Sequence, residues 1–250
     1  MRPAVECGWE SAHGMAPVRP ARLGPVTALP AAVLWDMDGT LVDTEPYWMA
    51  AETELVHSFG GTWTHDDALT LVGGELSWSA GQLQRRGVDL SIDEIVPALT
   101  ARVQQQLAEI GVPWRPGAQE LLRELREASV RTALVTMSYR RMAEQIASYI
   151  PFEPFDAIIA GDEVVNGKPH PEAYLTAAAR LGVDAARCVA IEDSLTGLAA
   201  AVASGAMTIG VPHLVPLPES DEHTLWPTLA GRTVDDIRAL ASGRFRDAAR

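Results

Sequence analysis

The sequence predicts an α/β fold, in which a parallel sheet with helices on both faces carries a small helical insertion. From residue 116 onward, short apolar runs alternate with amphipathic segments, which is typical of repeated β-α-β units and a parallel sheet. One further apolar run, residues 31–36, is separated from these units by residues 47–110, where only helical periodicity is found. The length of 250 residues corresponds to between one and two domains.

The first predicted strand has the sequence AAVLWD and ends at acidic residues followed by Gly39, where the chain must turn. In the stretch that follows, apolar residues of 47–59 and 99–110 recur every three or four positions, as on one face of a helix. Glycines punctuate the stretch between them. We therefore predict a separate helical domain over residues 47–111, inserted after the first strand.

The remaining elements follow in alternation. Helices are predicted over 117–128, 140–149, 171–181, 195–203 and 234–241, and strands over 132–136, 157–160, 188–191 and 206–211. The proline-rich stretch 211–227 is predicted to be a loop. The α/β core domain then comprises residues 31–46 and 112–250, and residues 1–30 form a flexible N-terminal tail.

Composition excludes several classes of partner. Asp and Glu outnumber Lys and Arg by 33 to 20, and the resulting charge of −13 repels nucleic acids and anionic membranes. The two cysteines cannot form a disulfide scaffold, so a reducing compartment is expected. No apolar run approaches 18 residues, and the first 30 residues lack the apolar segment of a signal peptide, with Met15 as an alternative start. We expect a cytoplasmic monomer without nucleic-acid or membrane partners.

Polar residues follow each predicted strand at its carboxyl end, where ligands bind in parallel sheets. The set consists of acids, hydroxyls and one lysine: Asp36, Asp38, Thr136, Ser138, Lys168, Glu192 and Asp193. Four carboxylates at one edge are costly unless a cation neutralises them. Hard oxygen ligands suit Mg²⁺, which often binds substrate phosphate as well. The sequence therefore predicts a magnesium site at this edge.

The motif DMDGTLVDT, which begins at Asp36, together with Thr136, Lys168 and the pair Glu192-Asp193 in this order, resembles the four motifs of the haloacid dehalogenase-like superfamily. The resemblance covers residues 31–211. It implies a Rossmann-like core and an α-helical cap domain inserted after the first motif, as in beta-phosphoglucomutase and small phosphosugar phosphatases. The spacing agrees, because 100 positions separate Asp36 from Thr136 and only 32 separate Thr136 from Lys168.

The resemblance implies that Asp36 is the nucleophile and forms an aspartyl-phosphate. Asp38 would be the general acid and base, and its backbone carbonyl a metal ligand. Lys168 would offset charge in the transition state. Asp36, Asp38, Asp193 and Glu192 are the predicted metal ligands, although Glu192 could instead orient Lys168.

The residues implied for substrate binding lie at two places. Thr136, Met137 and Ser138 would hold the phosphoryl group, through the Thr136 hydroxyl and backbone N–H groups at the start of a helix. Gly74 and Glu75, in the loop 71–77 of the cap domain, would contact the rest of the substrate.

Three features favour hydrolysis over phosphomutase activity by resemblance. Thr40 follows the DxDG motif, Trp48 stands where the mutases have a histidine, and the loop 71–77 has no Arg or Lys for a second phosphate. The Glu-Asp-Ser sequence that begins at Glu192 favours a small sugar or polyol phosphate. A beta-phosphoglucomutase-like mutase and a non-catalytic phosphoryl-binding module stay as alternatives. No histidine is assigned a role, since two carboxylates suffice for acid-base chemistry.

Overall fold

The computed structural model describes residues 29–72 and 74–247, with the side chains of 243–247 left aside. The predicted tail, apart from residues 29 and 30, lies outside the described residues, as does residue 73 of the cap loop. The described chain contains a parallel six-stranded sheet with the order β3-β2-β1-β4-β5-β6. Its strands are β1 (Ala32–Trp35), β2 (Arg131–Val135), β3 (Ala157–Ile159), β4 (Cys188–Glu192), β5 (Met207–Gly210) and β6 (His223–Leu225).

Strand β1 lies at the centre of the sheet. Its four residues are fully buried, and its pleat sends Val33 and Trp35 to one apolar layer and Ala32 and Leu34 to the other. It pairs with β2 on one side and β4 on the other, so that Trp35 is in register with residues 134 and 191. The carboxyl ends of the three central strands therefore meet at one edge.

The helices surround this sheet and form the insertion. They are α1 (Glu45–Ser58), α2 (His65–Leu69), α3 (Leu76–Arg85), α4 (Ile92–Ile110), α5 (Ala118–Glu127), α6 (Arg140–Ser148), α7 (Glu172–Leu181), α8 (Leu195–Ala203) and α9 (Val234–Asp247). Helices α1 to α4 lie between β1 and α5 in the chain, and the predicted cap domain over 47–111 stays a prediction. The predicted α/β fold with a parallel sheet is confirmed. No helix in the described part of the chain is long and apolar enough to cross a membrane.

Helix α4 is the longest element of the insertion. Ser91 and Glu94 form a capping box at its start, and Ile95, Leu99 and Val103 are buried along one face. Its other end leads back to the core through residues 111–115, the second linker, which lie beside residues 42–44, the first linker. There Val42 and Trp114 form an antiparallel bridge, and the amide of residue 43 donates to the carbonyl of residue 113 over 2.7 Å. The two linkers between insertion and core are thus hydrogen-bonded to each other.

The sequence prediction was wrong for one strand. Residues 211–227 were expected to form a loop, but β6 lies within them and pairs in parallel with β5. The strand has three residues, His223, Thr224 and Leu225, and all are half-buried. A short strand of this composition has neither the apolar run nor the alternation that predicts a strand. The last helix also continues beyond the predicted residue 241.

Candidate active site

The carboxyl edge of the sheet brings the polar residues predicted from the sequence together. Asp36 and Asp38 follow β1, Thr136 and Ser138 follow β2, Glu192 ends β4 and Asp193 follows it, and Lys168 reaches in from the loop after β3. All line or adjoin one pocket, and Met137, Gly74 and Glu75 line the same pocket. The described structure therefore places every candidate residue at this site, and their catalytic roles stay predictions.

Asp36 is buried between a cation and two acids. Its Oδ1 accepts a hydrogen bond of 2.6 Å from Nζ of Lys168, whereas its Oδ2 is buried without a hydrogen-bond partner. Burial is the largest cause that raises the pKa of Asp36 to about 7, and the charge of Glu192 is the next largest. The charge of Lys168 and its hydrogen bond lower this pKa. One oxygen is thus held in place and the other is left for a ligand.

Lys168 is the cation of this cluster. Its Nζ donates over 2.6 Å to Asp36, over 2.6 Å to Oε1 of Glu192 and over 3.0 Å to the carbonyl of Val135. Burial alone would lower the pKa of the lysine, but the charges of Asp36 and Glu192 outweigh burial and raise that pKa above its usual value. Lys168 therefore stays charged, and its three donors are all used.

Glu192 uses both carboxylate oxygens within the protein. Oε1 accepts from Lys168 and, over 2.5 Å, from the hydroxyl of Tyr174. Oε2 accepts from the amide of Asp193 over 3.2 Å and from Oγ of Ser194 over 3.3 Å. The side chain lies against Gly197, where a Cβ would come within 1.9 Å of Oε2. This environment favours an orienting role over direct metal ligation, the two roles that the sequence left open.

Asp38 faces hydroxyl groups instead of the acidic cluster. Its Oδ2 accepts from Oγ of Ser138 over 2.7 Å and from Oγ1 of Thr136 over 3.2 Å, and its Oδ1 accepts a very short hydrogen bond from Thr44. Nε1 of Trp48 lies 3.5 Å from the same Oδ1. The side chain is therefore directed towards the pocket and the hydroxyls of Thr136 and Ser138. Its side chain is not part of the acidic group that could hold a metal, and the role of its backbone carbonyl as a metal ligand stays a prediction.

Asp193 completes a group of three carboxylates. Ligand oxygens of Asp36, Glu192 and Asp193 lie within 4.8 Å of one another. Burial, together with the charge of Asp36, raises the pKa of Asp193 well above its usual value. Asp193 packs against Gly39, whose φ of +86° suits glycine and whose Cβ, if present, would lie 2.0 Å from Oδ2. Oδ2 of Asp36 is buried without a partner, and three buried carboxylates lie close together. These residues therefore fit a small divalent cation.

The model of the haloacid dehalogenase-like hydrolase family matches residues 30–205. The chain belongs to this family. The resemblance seen in the motifs is confirmed, and so is the prediction of an enzyme. In this hydrolase the first, second and fourth motifs lie at the ends of β1, β2 and β4, and the third, with Lys168, lies in the loop after β3.

Relatives of this hydrolase include named phosphatases. Hexitol phosphatase B of Escherichia coli K12 is 32% identical over 200 residues, which cover 76% of this chain and 85% of the relative. Phosphorylated carbohydrates phosphatase of Thermotoga maritima is 32% identical over 192 residues, 73% of this chain and 85% of the relative. These names agree with the predicted phosphoric monoester hydrolase.

The structure is also similar to solved ones. A variant of CbbY from Rhodobacter sphaeroides, crystallised with xylulose 1,5-bisphosphate, superposes with a TM-score of 0.73 and 29% sequence identity, covering 81% of this chain and 96% of that chain. Beta-phosphoglucomutase from Clostridium difficile has a TM-score of 0.75 at 20% identity, covering 87% and 100%, and shows the shared fold alone.

Sequence reasoning about the hydrolase missed two acids in the pocket. Glu45 and Glu52 come from α1 and line the pocket with Trp48 between them. Their spacing of three and four positions puts the three side chains on one face of the helix. The signal was present as E-x-x-W-x-x-x-E, but nothing in the sequence states that this face covers the strand ends. Tyr174 was missed as well, since it reads as an ordinary apolar position of α7.

Proposed function

We propose that this hydrolase is a Mg²⁺-dependent phosphatase that acts on a small phosphorylated sugar or polyol through an aspartyl-phosphate on Asp36. The arrangement of Asp36 carries the proposal. One of its oxygens is fixed by Lys168 at 2.6 Å, and the other is buried without a partner beside the acidic group. The names of the two phosphatase relatives support the class of substrate.

In the first step, an oxygen of Asp36 attacks phosphorus, and the bond between phosphorus and the ester oxygen breaks. Asp38, two residues along the same loop, gives its proton to the departing alkoxide. Lys168 offsets negative charge beside the nucleophile, and it is already held there by Glu192. The products of this step are the free alcohol and phospho-Asp36.

In the second step, Asp38 acts as the base, since it has lost its proton. It takes a proton from a water molecule as the water oxygen attacks phosphorus, and the bond from phosphorus to Asp36 breaks. Inorganic phosphate leaves, and both aspartates return to their starting protonation states. Thr136 and Ser138, whose hydroxyls contact Asp38, can turn to donate to phosphoryl oxygens.

Asp36, Asp193 and the backbone carbonyl of Asp38 would hold the magnesium ion. When bound, the ion neutralises the carboxylates and the charge that develops on the phosphoryl oxygens. We assign Glu192 to positioning Lys168, because its oxygens already accept four hydrogen bonds.

Hydrolysis is favoured over a phosphomutase reaction by the charge of the pocket. Among the described residues that line it, Lys168 is the only cation, and it is bonded to Asp36 and Glu192. A mutase must also hold the second phosphate of a bisphosphate. The acids Glu45, Glu52 and Glu75 line the same pocket and offer no positive charge to that phosphate. A non-catalytic module is disfavoured because each residue that the chemistry needs is present.

A cytoplasmic monomer without nucleic-acid or membrane partners belongs to the same proposal. The net charge of −13 supports the absence of such partners, since it repels polyanions and anionic lipids. The burial of Cys188 as a free thiol is compatible with a reducing compartment.

The proposal is tested by assaying purified protein with p-nitrophenyl phosphate, a hexitol 6-phosphate and a hexose 6-phosphate, with Mg²⁺ and after exhaustive treatment with EDTA. We expect turnover only with Mg²⁺, inhibition by Ca²⁺, whose larger and looser ligand shell misplaces the nucleophile, and no turnover for Asp36→Asn. Acid-quenched protein should carry phosphate on Asp36 in wild type. Full activity after chelation, or an active Asp36→Asn variant, would overturn the mechanism.

A further inference from the structure

One buried hydroxyl beside the site lies outside the pocket and takes no part in the mechanism above. Tyr174 of α7 is fully buried, and its hydroxyl donates over 2.5 Å to Oε1 of Glu192. Among the described residues that line the pocket, neither Tyr174 nor Glu192 is found. Tyr174 therefore does not contact a substrate bound there, and any effect on the reaction must pass through the residues that it touches.

The sequence of α7 explains how a tyrosine fits at this place. Ala173, Ala177 and Ala178 are buried on the same face of the helix as Tyr174. The apolar layer of the sheet against which they pack also contains alanines: Ala32, Ala133 and Ala190. Small side chains on both surfaces leave room for a large one between them. Tyr174 is the one aromatic residue among the described buried residues of this layer.

Tyr174 contacts both partners of the ion pair between Lys168 and Glu192. Nζ of Lys168 lies 5.2 Å from the centroid of the tyrosine ring, where the ring attracts a cation. The same Nζ lies 2.6 Å from Oε1 of Glu192, which also accepts the tyrosine hydroxyl. The ring thus contacts the ammonium group while the hydroxyl contacts the carboxylate.

The hydroxyl affects how Lys168 is shared between two carboxylates. Nζ of Lys168 lies 2.6 Å from Oδ1 of Asp36 and 2.6 Å from Oε1 of Glu192. A hydrogen bond from Tyr174 to Oε1 offsets part of the negative charge that this oxygen presents to the ammonium group. Without the hydroxyl, Oε1 would attract Lys168 more strongly and draw it away from Asp36.

Glu192 is held from a second helix as well. Gly197 is the third residue of α8, and a Cβ at this position would come within 1.9 Å of Oε2. The three atoms nearest to such a Cβ all belong to Glu192, so a larger residue must displace this side chain. The carboxylate therefore lies between Tyr174 at Oε1 and Gly197 at Oε2.

We propose that Tyr174 is a positioning residue for the phosphatase reaction, and that it acts through Glu192 to keep the ammonium group of Lys168 against Asp36. This inference rests on the proposed function, because the place of Lys168 affects a rate only if Asp36 is the nucleophile. It gives a chemical role to a hydroxyl that packing of the apolar layer does not require.

The experiment follows single turnovers of p-nitrophenyl phosphate at saturating Mg²⁺ in wild type and Tyr174→Phe, which keeps the ring and removes the hydroxyl. The maximal rate of phospho-Asp36 formation should fall about five- to tenfold, as expected for one hydrogen bond to a charged group. The substrate concentration for half-maximal rate should change less than about twofold, because Tyr174 does not line the pocket. The matched control is Tyr149→Phe, which removes an exposed hydroxyl far from this ion pair.

A double-mutant cycle separates positioning from support of the fold. In a Glu192→Gln background, Tyr174→Phe should change the rate less than about twofold, since the carboxylate through which the hydroxyl acts is gone. Gly197→Ala displaces Glu192 from the other helix, and it decides the question even if Tyr174→Phe does not fold. It should lower the rate about fivefold or more, whereas Gly81→Ala, at a helical glycine with open space around its Cβ position, should not.

Three outcomes would overturn the inference: an unchanged rate in Tyr174→Phe, an unchanged rate in Gly197→Ala, or equal losses from Tyr174→Phe with Glu192 and with Gln at that position. Equal losses would mean that the hydroxyl supports the fold alone. Failure of the proposed function is distinct, since wild type would then show no Mg²⁺-dependent turnover of p-nitrophenyl phosphate, and the inference would fail with it.

Discussion

Nζ of Lys168 lies 2.6 Å from Oε1 of Glu192, and the same oxygen accepts a hydrogen bond from the hydroxyl of Tyr174. Lys168, which contacts the proposed nucleophile, is therefore positioned by Glu192, and Glu192 is in turn positioned by its hydrogen bond with Tyr174 of α7. Such a chain fixes the ammonium group before any substrate binds, and preorganised charge is what stabilises a transition state most effectively.

This arrangement predicts different effects for the two acids at the end of β4. Glu192→Gln should lower kcat about tenfold or more, because Lys168 loses its charged partner, while the Mg²⁺ concentration for half-maximal activity changes less than about threefold. Asp193→Asn should raise that Mg²⁺ concentration more than about tenfold. Magnesium titrations of initial rates measure both. A large rise in the Mg²⁺ requirement of Glu192→Gln would make Glu192 a ligand.

Asp38 allows a test that depends on the leaving group. Asp38→Asn should lower kcat for a hexitol 6-phosphate by about 10²–10⁴-fold, since an alkoxide needs a proton as it leaves. The loss for p-nitrophenyl phosphate should be much smaller, because p-nitrophenolate is a stable anion. Single-turnover rates of phospho-Asp36 formation with the two substrates make the comparison. Equal losses would show that Asp38 is not the acid in the first step.

Much of the core of the site could be predicted because it depends on sequence-local features. Asp36, Thr136 and Glu192 adjoin buried apolar strands, and parallel strands must present their carboxyl ends at one edge. The chemistry of the edge then follows from residue types alone. The same reasoning gave the strand-helix alternation after residue 116, since each element there has a strong apolar pattern.

The remainder depends on contacts between distant segments. Tyr174 and Glu52 look like ordinary helix positions until α7 and α1 are placed beside the strand ends. His213 lies in the segment 211–227, which was predicted to be a loop, and it contacts Asp43, 170 positions earlier in the chain. Strand β6 in the same segment is short and half-buried, so that its pairing with β5, and not its own composition, defines it. Single-sequence patterns carry no information on such pairings.

His213 predicts a stability effect at the linkers. Its Nε2 lies 2.8 Å from Oδ1 of Asp43 in the first linker, and its Nδ1 lies 2.7 Å from Nη1 of Arg115 in the second. Arg115 also donates to the carbonyl of Pro212 over 3.2 Å. A neutral imidazole with its proton on Nε2 satisfies both contacts. The histidine thus joins the segment after β5 to both linkers.

His213→Ala should destabilise the protein by about 1–3 kcal/mol, because Asp43 and Arg115 lose a partly buried partner. This corresponds to a fall in Tm of about 2–12 °C for a chain of this size. Thermal unfolding followed by circular dichroism measures it, with His170→Ala, which removes a largely exposed imidazole, as the control. An unchanged Tm would mean that the contacts contribute nothing to stability.

The last prediction concerns Glu52 and pH. Its pKa is about 8 in the folded protein, raised from 4.5 by burial and the charge of Glu45. Between pH 4.5 and about pH 8, Glu52 keeps its proton in the folded protein but has released it in the unfolded chain. The stabilising contribution is therefore complete below pH 4.5 and is lost as pH rises through about 8. Glu52→Gln cannot ionise, so this loss should not occur in the variant.

The Tm difference, Glu52→Gln minus wild type, should accordingly become more positive from about pH 5 to about pH 9, by about 4 °C or more, since one pKa unit corresponds to about 1.4 kcal/mol. Scanning calorimetry in EDTA measures this without contributions from bound metal. Acids that do not interact with Glu52 titrate in both proteins and cancel in the difference, whereas Glu45, whose charge raises the pKa of Glu52, belongs to the same pH-dependent change. Glu54→Gln, at an exposed position of α1, is the control for replacing a glutamate by a glutamine on this helix. A Tm difference for Glu52→Gln that does not vary with pH would show that Glu52 ionises as readily in the folded protein as in the unfolded chain.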